Sequence, residues 1–383
     1  MKKPLADAVT DRAADEQRLA SDAELARLRS EVASLKGRYR AALAQIDRER
    51  ERADSLTTLR GLTPPARRPA GRRKPSKRHA ATMVFMLSDV HCEERVDPAT
   101  VNGANDYSLE VCERRLAELE MRLFAMLDHE RHLADIRRIV VWLGGDFITG
   151  HIHPDCVEVA QLSPPNATRW IGTRLRGMID AIAANVDSVV VCTNAGNHGR
   201  STEKLRIATE LDHSWEQMLY HTLQREERNP NVEWQIASGH LGYVDLDGFV
   251  LRTTHGHSIR YSQGVYGLAL PATKAIAAWD ASRRADLTIF GHYHTWGWLR
   301  GGRYVSNGSV IGHSAYSVFI KAGAHDRPCQ GLVVIDHGRN EVTKAYPLFC
   351  DGDLRSKHDN DTRRIQRRTT GSRPRADRRH ASR

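Results

Sequence analysis

Long apolar runs and paired cysteines are both missing from this sequence. No uninterrupted apolar stretch in its 383 residues is long enough to cross a bilayer, and the segment after Met1 lacks the apolar core of a secretory signal. The six cysteines are scattered without a Cys-x-x-Cys pair, which in a chain of this length predicts reduced thiols rather than a disulfide framework. We therefore expect a cytoplasmic protein that does not bind membranes.

Acidic residues are scarce at the two ends of the chain. Residues 1–80 contain 20 Lys and Arg against 11 Asp and Glu, residues 351–383 contain 11 against 5, and residues 81–350 contain 26 against 31. The net charge of +10 therefore comes entirely from the ends. Basic ends of this kind bind nucleic acid through phosphate contacts, but solvated extensions that only aid solubility have the same composition.

Proline is absent from residues 10–58, which are rich in Ala, Leu, Arg and Glu. Apolar residues there follow the 3-4 spacing of a coiled-coil seam, at Leu25, Leu28, Val32, Leu35, Tyr39, Ala42 and Ile46. Gly37 weakens this helix, and a seam of about three heptads is short. Two interpretations follow: a parallel coiled coil that forms a homodimer, and a single helix that lies on the domain that follows in the chain.

Residues 59–80 change in composition, with four prolines, eight basic residues and no acidic one. This composition predicts a basic linker. From about Lys357 the chain is Arg-rich and nearly free of apolar residues, which predicts disorder. We therefore divide the chain into a helical segment 1–58, the linker 59–80, a catalytic domain 81–350 and a basic tail 351–383.

Strand and helix patterns alternate through the catalytic domain. Apolar runs predict strands at 83–87, 138–143, 188–192 and 287–290. Amphipathic patterns predict helices at 107–132, 170–184, 205–225 and 274–282. A β-rich stretch at 232–254 has a turn at Asp247-Gly248, and short strands continue to about Pro347. The predicted fold is an α/β sandwich of two mixed β-sheets flanked by helices.

Side chains that bind metals follow five predicted strands in succession. They are Asp89 with His91, Asp146, Asn197 with His198, His255 with His257, and His292 with His294. Folds of the α/β class place their sites at strand ends, and the neighbouring glycines let the backbone turn sharply and approach a ligand closely. One such motif is a weak signal, but five in order predict a shared site.

The donor types indicate which metals this site would bind. Carboxylate, imidazole and amide oxygen suit Mn²⁺, Fe or Zn²⁺ better than metals that select thiolates. An aspartate can bridge two cations, and a pair of cations can clamp a phosphoryl group and supply a nucleophile near neutral pH. The pattern therefore predicts metal-assisted chemistry on phosphate esters.

The order of the motifs, Asp-x-His, Gly-Asp, Gly-Asn-His, His-Gly-His and Gly-His-x-His, resembles the calcineurin-like metallophosphoesterase superfamily over about residues 83–345. The residues around these motifs are most similar to phage-encoded members, which are related to phosphoesterases of the DNA-repair exonuclease type. They are Asn105, Tyr107, Arg115 and the stretches 144–153 and 196–200. The resemblance implies a hydrolase with two divalent metal ions, Mn²⁺ in first place and Fe or Zn²⁺ as alternatives.

The resemblance also implies a role for each motif residue. One metal would be bound by Asp89, His91 and His294, the other by Asn197, His255 and His292, and Asp146 would bridge both. His255 is preferred to His257 because the family uses the first imidazole of this motif. His198 would contact the phosphate and protonate the leaving oxygen while a bridging hydroxide attacks in line.

The sequence departs from the family after Gly-Asn-His, where an acidic residue is usual. Here Gly199 is followed by Arg200, so a carboxylate that orients His198 must come from elsewhere or be absent. Arg200 is a candidate phosphate clamp, or else a surface residue after a turn. His151 and His153 either face the substrate or belong to a polar loop.

Three functions are compatible with these features. The first is a phosphodiesterase or nuclease, favoured by the metal motifs together with the basic ends. The second is a phosphatase for proteins or small phosphate esters, which would use the same site without the steep salt dependence of nucleic-acid binding. The third is an inactive scaffold that binds nucleic acid or a partner through the coiled coil and the ends. The presence of all seven ligand positions argues against the scaffold.

Overall fold

The computed structural model describes residues 78–261, 267–321 and 327–352, together with isolated residues between 24 and 37. The chain divides into two compact units, Met1–Leu62 and Thr63–Arg383. The residues described in the first unit are helical. Most of the predicted coiled coil, the linker and the tail lie outside the described residues, so the domain boundaries and the homodimer stay predictions.

The first sheet has six strands in the order β11-β10-β1-β2-β3-β4. They are β1 (Ala80–Leu87), β2 (Asp135–Leu143), β3 (Ser188–Thr193), β4 (Val232–Ile236), β10 (Cys329–Asp336) and β11 (Glu341–Phe349). Strands β1 to β4 run parallel, whereas β10 runs antiparallel to both β1 and β11. The carboxyl ends of β1, β2 and β3 therefore meet at one edge, where α/β folds place their sites.

The second sheet has five strands in the order β5-β6-β7-β9-β8. They are β5 (Gly242–Leu246), β6 (Phe249–Thr254), β7 (Leu287–Phe290), β8 (Gly297–Leu299) and β9 (Tyr304–Ser306). Strands β6, β7 and β9 are parallel, and β5 and β8 are antiparallel to their neighbours. The predicted turn between β5 and β6 is confirmed, with positive φ at Asp247 and Gly248, as a two-residue hairpin requires.

The two sheets share one apolar core. Alternate residues of the first sheet, such as Val84, Val140 and Val190, pack against residues of the second sheet, such as Leu251 and Ile289. These strands are apolar along most of their length because helices or the other sheet cover both faces. The predicted class, an α/β fold of two mixed sheets flanked by helices, is confirmed.

The described part of the second unit has six α-helices. They are α1 (Leu109–Glu130), α2 (Pro154–Val159), α3 (Pro164–Ala183), α4 (Trp215–Glu226), α5 (Ala269–Ser282) and α6 (Ala315–Lys321). Helix α1 contacts β11, α3 contacts β3, and α4 contacts β4 and α3, whereas α5 packs on Phe290 and Tyr304 of the second sheet. The short helices α2 and α6 were not predicted from the sequence pattern.

The predicted helix at 205–225 is wrong in its first half. Residues Ile207–Thr209 and Leu211–His213 form two 3₁₀ turns, and the α-helix begins only after Ser214. The Ser214 hydroxyl accepts a hydrogen bond from the backbone N–H of Gln217 at 3.2 Å, which caps the helix there. This irregular segment is placed close to the site described below.

None of the helices in the described ranges combines the length and apolar character of a membrane span. All six cysteines lie within these ranges, and no two of them form a disulfide there.

Candidate metal centre

Loops at the ends of five strands converge on one edge of the sandwich. The loop after β1 bonds to the loop after β2, since Asp89 N–H donates to Gly145 O at 2.9 Å. Across the sheets, the N–H of His292 donates to Asp89 Oδ1 at 2.9 Å, and the N–H of His198 donates to Asp146 Oδ1 at 2.8 Å. The carboxylates thus hold the loops together as well as face the site.

A first group of ligand atoms comes from Asp89, His91 and His294, whose donor atoms lie within 4.8 Å of one another. His294 Nε2 lies 3.4 Å from Asp89 Oδ1. His91 Nδ1 lies 3.1 Å from the Thr149 hydroxyl, while its Nε2 is buried and has no hydrogen-bond partner among the described residues. A buried nitrogen without a partner is costly, and a metal ion would satisfy it.

A second group comes from Asp146, His255 and His292, again within 4.8 Å. His255 Nε2 lies 3.0 Å from Asp146 Oδ2 and 3.2 Å from Asn197 Oδ1. His255 Nδ1 lies 2.7 Å from Gly144 O, so in the neutral ring the proton is on Nδ1 and Nε2 presents a lone pair. Three acceptor atoms then face one another, which requires a cation or a proton between them.

The pKa shifts also indicate that the second group favours a positive charge between its acceptor atoms. Burial lowers the pKa of His255, but the Asp146 carboxylate outweighs burial and raises it to about 10. Burial likewise raises the pKa of Asp146, but His255 and His198 hold it well below its usual value. In the first group, burial and the charge of His198 hold the pKa of His91 well below its usual value. Both donor sets therefore fit divalent cations.

Backbone strain is concentrated on these ligands. Of the nine non-glycine residues with positive φ in the described ranges, five are the ligand candidates Asp89, His91, Asp146, His292 and His294. The left-handed region is unfavourable for most residues but is tolerated by Asp and His. Such strain persists at functional sites because the surrounding structure imposes it.

Gly196 shows how closely these loops approach each other. A Cβ atom at this position would lie 2.1 Å from Asp146 Oδ1 and 2.2 Å from the Asp146 backbone nitrogen. Glycine here therefore lets the Gly-Asn-His loop lie directly on the Gly-Asp loop. This contact brings Asn197 to the second group.

His198 lies beside both groups. Its ring packs edge-on against His91 with centroids 4.8 Å apart, and its Nδ1 lies 3.0 Å from Thr149 O. Burial lowers the pKa of His198, but the Asp146 charge outweighs it and raises the pKa to about 9. The backbone carbonyl of Thr149 thus orients this imidazole, which is the role that the family resemblance gives to a carboxylate.

Glu216 is a buried acid that the sequence motifs do not reveal. Its two carboxylate oxygens accept hydrogen bonds from the N–H groups of Phe147 at 2.6 Å and Gly196 at 2.7 Å. Burial and the charge of Asp146 raise its pKa to about 7. A Cβ atom at residue 199 would lie 2.8 Å from the Glu216 carboxyl carbon, which accounts for Gly199. Glu216 therefore supports two ligand loops from helix α4.

Arg200 and the loop histidines lie outside the two groups of candidate ligands. The Arg200 guanidinium donates to backbone carbonyls of its own loop, at Asn197, Thr202 and Glu203. His151 and His153 are exposed in the loop before α2. The phosphate-clamp role of Arg200 and the substrate-facing role of these histidines stay predictions.

No family model matches the sequence, and no curated protein matches it. Solved structures that it is similar to include an archaeal phosphodiesterase, with 13% identity, 69% of this chain and 99% of that chain covered, and a TM-score of 0.29. A predicted phosphoesterase from Streptococcus pneumoniae has 12% identity, coverages of 70% and 98% and a TM-score of 0.29. Vps29 from Entamoeba histolytica, complexed with Zn²⁺, has 14% identity, coverages of 70% and 94% and a TM-score of 0.28. Overlaps this low assign neither a family nor an activity to this chain, so function rests on the site itself.

Proposed function

We propose that this chain is a metal-dependent phosphoesterase of the calcineurin-like type that cleaves phosphodiester bonds in nucleic acid. In this it would be similar to phage-encoded members of that type and to phosphoesterases of the DNA-repair exonuclease type. The observation that supports the proposal is the pair of neighbouring ligand groups, Asp89/His91/His294 and Asp146/His255/His292, with His198 beside them. When bound, two divalent ions, Mn²⁺ in first place, would stabilise phosphoryl charge and supply a nucleophile near neutral pH.

Asp146 has the central role among the protein groups. Its charge acts on His91 in one group and on His255 in the other, and it also bonds the backbone of His198. A carboxylate in this position is suited to bridge two cations, with Asn197 Oδ1 completing the second set. The strained backbone at Asp89 and Asp146 fixes both carboxylates before substrate arrives.

His198 is suited to be the general acid. Thr149 O holds its Nδ1, so Nε2 is the atom that would give a proton to the leaving oxygen. In the metal-free chain, burial lowers the pKa of His198, but the charge of Asp146 outweighs burial and raises it to about 9, so the imidazole is charged at neutral pH. A charged, oriented imidazole can donate a proton as the ester bond breaks.

The basic ends support a nucleic-acid substrate. Residues 1–80 and 351–383 carry all of the positive excess, whereas residues 81–350 are slightly acidic. Affinity for DNA or RNA would therefore come from the ends and chemistry from the centre. Hydrolysis of nucleic acid would then weaken steeply with salt, and hydrolysis of a small diester would not.

The test is a comparison of substrates with the full-length chain and Mn²⁺. Hydrolysis of bis-p-nitrophenyl phosphate, p-nitrophenyl phosphate and single- and double-stranded DNA would be measured for wild type, Asp146→Asn and His198→Ala. Asp128→Asn and His129→Ala are matched controls, because both residues are exposed on helix α1. We expect cleavage of the diester and of DNA that is lost in Asp146→Asn and kept in both controls.

Other outcomes would change the proposal in distinct ways. Activity confined to the monoester would replace the nuclease by a phosphatase. Absence of activity on every substrate, together with absence of bound metal after dialysis against Mn²⁺, Fe²⁺ or Zn²⁺, would overturn the metal-centre proposal and leave a binding scaffold.

A further inference from the structure

A third group of metal-binding side chains lies apart from the two groups above. It consists of Glu210, His240 and His257, whose donor atoms lie within 4.8 Å of one another. Glu210 comes from the irregular segment before α4, His240 from the loop between β4 and β5, and His257 from the loop after β6. No residue is shared with either of the first two groups. His257 is the second imidazole of the His-Gly-His motif, which neither of those groups includes.

The atoms of this group are close but poorly satisfied. Glu210 is only 5% exposed, and its two carboxylate oxygens lie 3.1 Å from His257 Nε2 and 3.1 Å from His240 Nδ1. Glu210 Oε1 is nevertheless buried without a hydrogen-bond partner within the described residues. Buried polar atoms in proteins are almost always satisfied, so each exception calls for an unseen partner.

The donor set suits a divalent cation. Two imidazoles and one carboxylate form a known ligand set for Zn²⁺, which binds nitrogen and oxygen at about 2.0–2.2 Å. Tetrahedral ligands at those lengths lie roughly 3.3–3.5 Å apart. Glu210 Oε1 and His257 Nε2 are 3.1 Å apart, close to that spacing, and His240 Nδ1 lies 3.1 Å from the other carboxylate oxygen, Oε2. A movement of His240 or of the carboxylate would therefore admit an ion.

A cavity provides access to the group. It has a volume of about 690 Å³ and is lined by Glu210 and His240 together with residues of the same irregular segment and of helix α4, such as Ser214, Gln217 and His221. An ion bound by the three side chains would have room on the cavity side for one more ligand, a water molecule or an oxyanion. An open fourth position is what distinguishes reactive zinc sites from purely structural ones.

We propose that Glu210, His240 and His257 form a third divalent-cation site, with a donor set that favours Zn²⁺. The site lies next to the second group, since the His257 ring centroid is 5.5 Å from that of His255 and 6.2 Å from that of His292. It adds positive charge beside the candidate metal centre and opens toward the cavity. The proposal depends on the three side chains and does not require esterase activity.

The test counts and locates bound metal in the full-length chain, free of any affinity tag. After dialysis against Zn²⁺, metal content by mass spectrometry is compared among wild type, Glu210→Gln, His240→Ala and the control His221→Ala, which lines the same cavity outside the group. We expect both group variants to bind about one equivalent less than wild type and the control to match it. His240 is partly exposed, so His240→Ala preserves the test if Glu210→Gln fails to fold.

Crystals of the zinc-loaded chain give the position of each ion by anomalous scattering. A peak between Glu210, His240 and His257 that persists in Asp146→Asn would support the third site, even if the chain hydrolyses no ester. Equal zinc content in wild type and both group variants, with no peak within bonding reach of Glu210, would overturn it. The contacts of Glu210 would then be ion pairs with protonated histidines.

Discussion

The first and second ligand groups are built from the same side-chain types, but His91 in the first and His255 in the second have opposite pKa shifts. In the first group, burial and the charge of His198 hold the pKa of His91 well below its usual value, so its imidazole is neutral. In the second group, Asp146 raises the pKa of His255 to about 10 in spite of burial. His91 therefore presents a free lone pair, whereas His255 holds a proton that a metal ion must displace.

The difference arises from where the carboxylate points. Asp146 Oδ2 lies 3.0 Å from His255 Nε2. In His91, by contrast, Nδ1 lies within hydrogen-bond distance of the Thr149 hydroxyl, and Nε2 has no hydrogen-bond partner among the described residues. Asp146 therefore sets the charge of the centre.

Asp146→Asn should cause the largest loss of activity. The change removes the charge that acts on His91, His198 and His255, so we expect diester hydrolysis to fall by roughly 10²–10³-fold or more, the scale of losing one preorganised electrostatic group. Asp89→Asn should lose less, because its effect is centred on the first group. Steady-state hydrolysis of bis-p-nitrophenyl phosphate measures both. Equal losses in the two variants would contradict the central role of Asp146.

His198→Ala should separate natural from activated substrates. A nucleotide leaving group needs a proton, so DNA cleavage should fall by about 10²-fold or more, the usual contribution of a general acid. A p-nitrophenolate leaves without protonation, so hydrolysis of bis-p-nitrophenyl phosphate should fall much less. Metal content should stay that of wild type. A similar loss on both substrates would mean that His198 binds the phosphate rather than donates the proton.

Glu216→Gln should weaken the second group selectively. Glutamine keeps one acceptor oxygen but presents an NH₂ group to either the Phe147 or the Gly196 N–H, so one ligand loop loses its support. We expect metal affinity at the second group to fall about 10–100-fold, the range seen when a residue that supports a ligand is changed. Titration with Mn²⁺ would show one weakened and one unchanged site. The exposed Glu226→Gln on the same helix is a control.

The convergence of the candidate ligand motifs was predictable because each motif is local. Asp89, Asp146 and His292 stand directly after buried strands, and parallel strands deliver their carboxyl ends to one edge. The support for these loops was not predictable. Glu216 and Thr149 act through contacts that join segments far apart in sequence. The spacing of residues along the sequence does not reveal such contacts.

The segment before α4 shows a second limit of sequence reasoning. Its apolar pattern predicted one helix over 205–225, but Ser214 caps a later start and 3₁₀ turns occupy the first half. Glu210 lies in these turns, facing His240 and His257. Local rules tend to fail where tertiary contacts build a site, and here the failure coincides with the third candidate group.

The smallest expected effect concerns the free energy of unfolding, which should depend on pH differently in the metal-free and the metal-loaded protein. The pKa of His255 is raised from 6.5 to about 10 in the folded chain. Its proton therefore contributes stability that is fully present below pH 6.5 and is lost as pH rises through about 10. Urea unfolding in EDTA between these limits should show a decline that is smaller in His255→Gln than in wild type, with exposed His129→Gln as the control.

Metal-loaded protein should respond differently, because a cation replaces the proton at the second group. Its unfolding free energy should stay flat or rise over the same pH range, since deprotonated ligands bind the ion more tightly. The curves for metal-free and metal-loaded chain should thus diverge as pH increases. Parallel declining curves would mean that the second group holds the proton but binds no ion. Parallel flat curves would mean that it does not hold the proton, and the contrast between His91 and His255 would be lost.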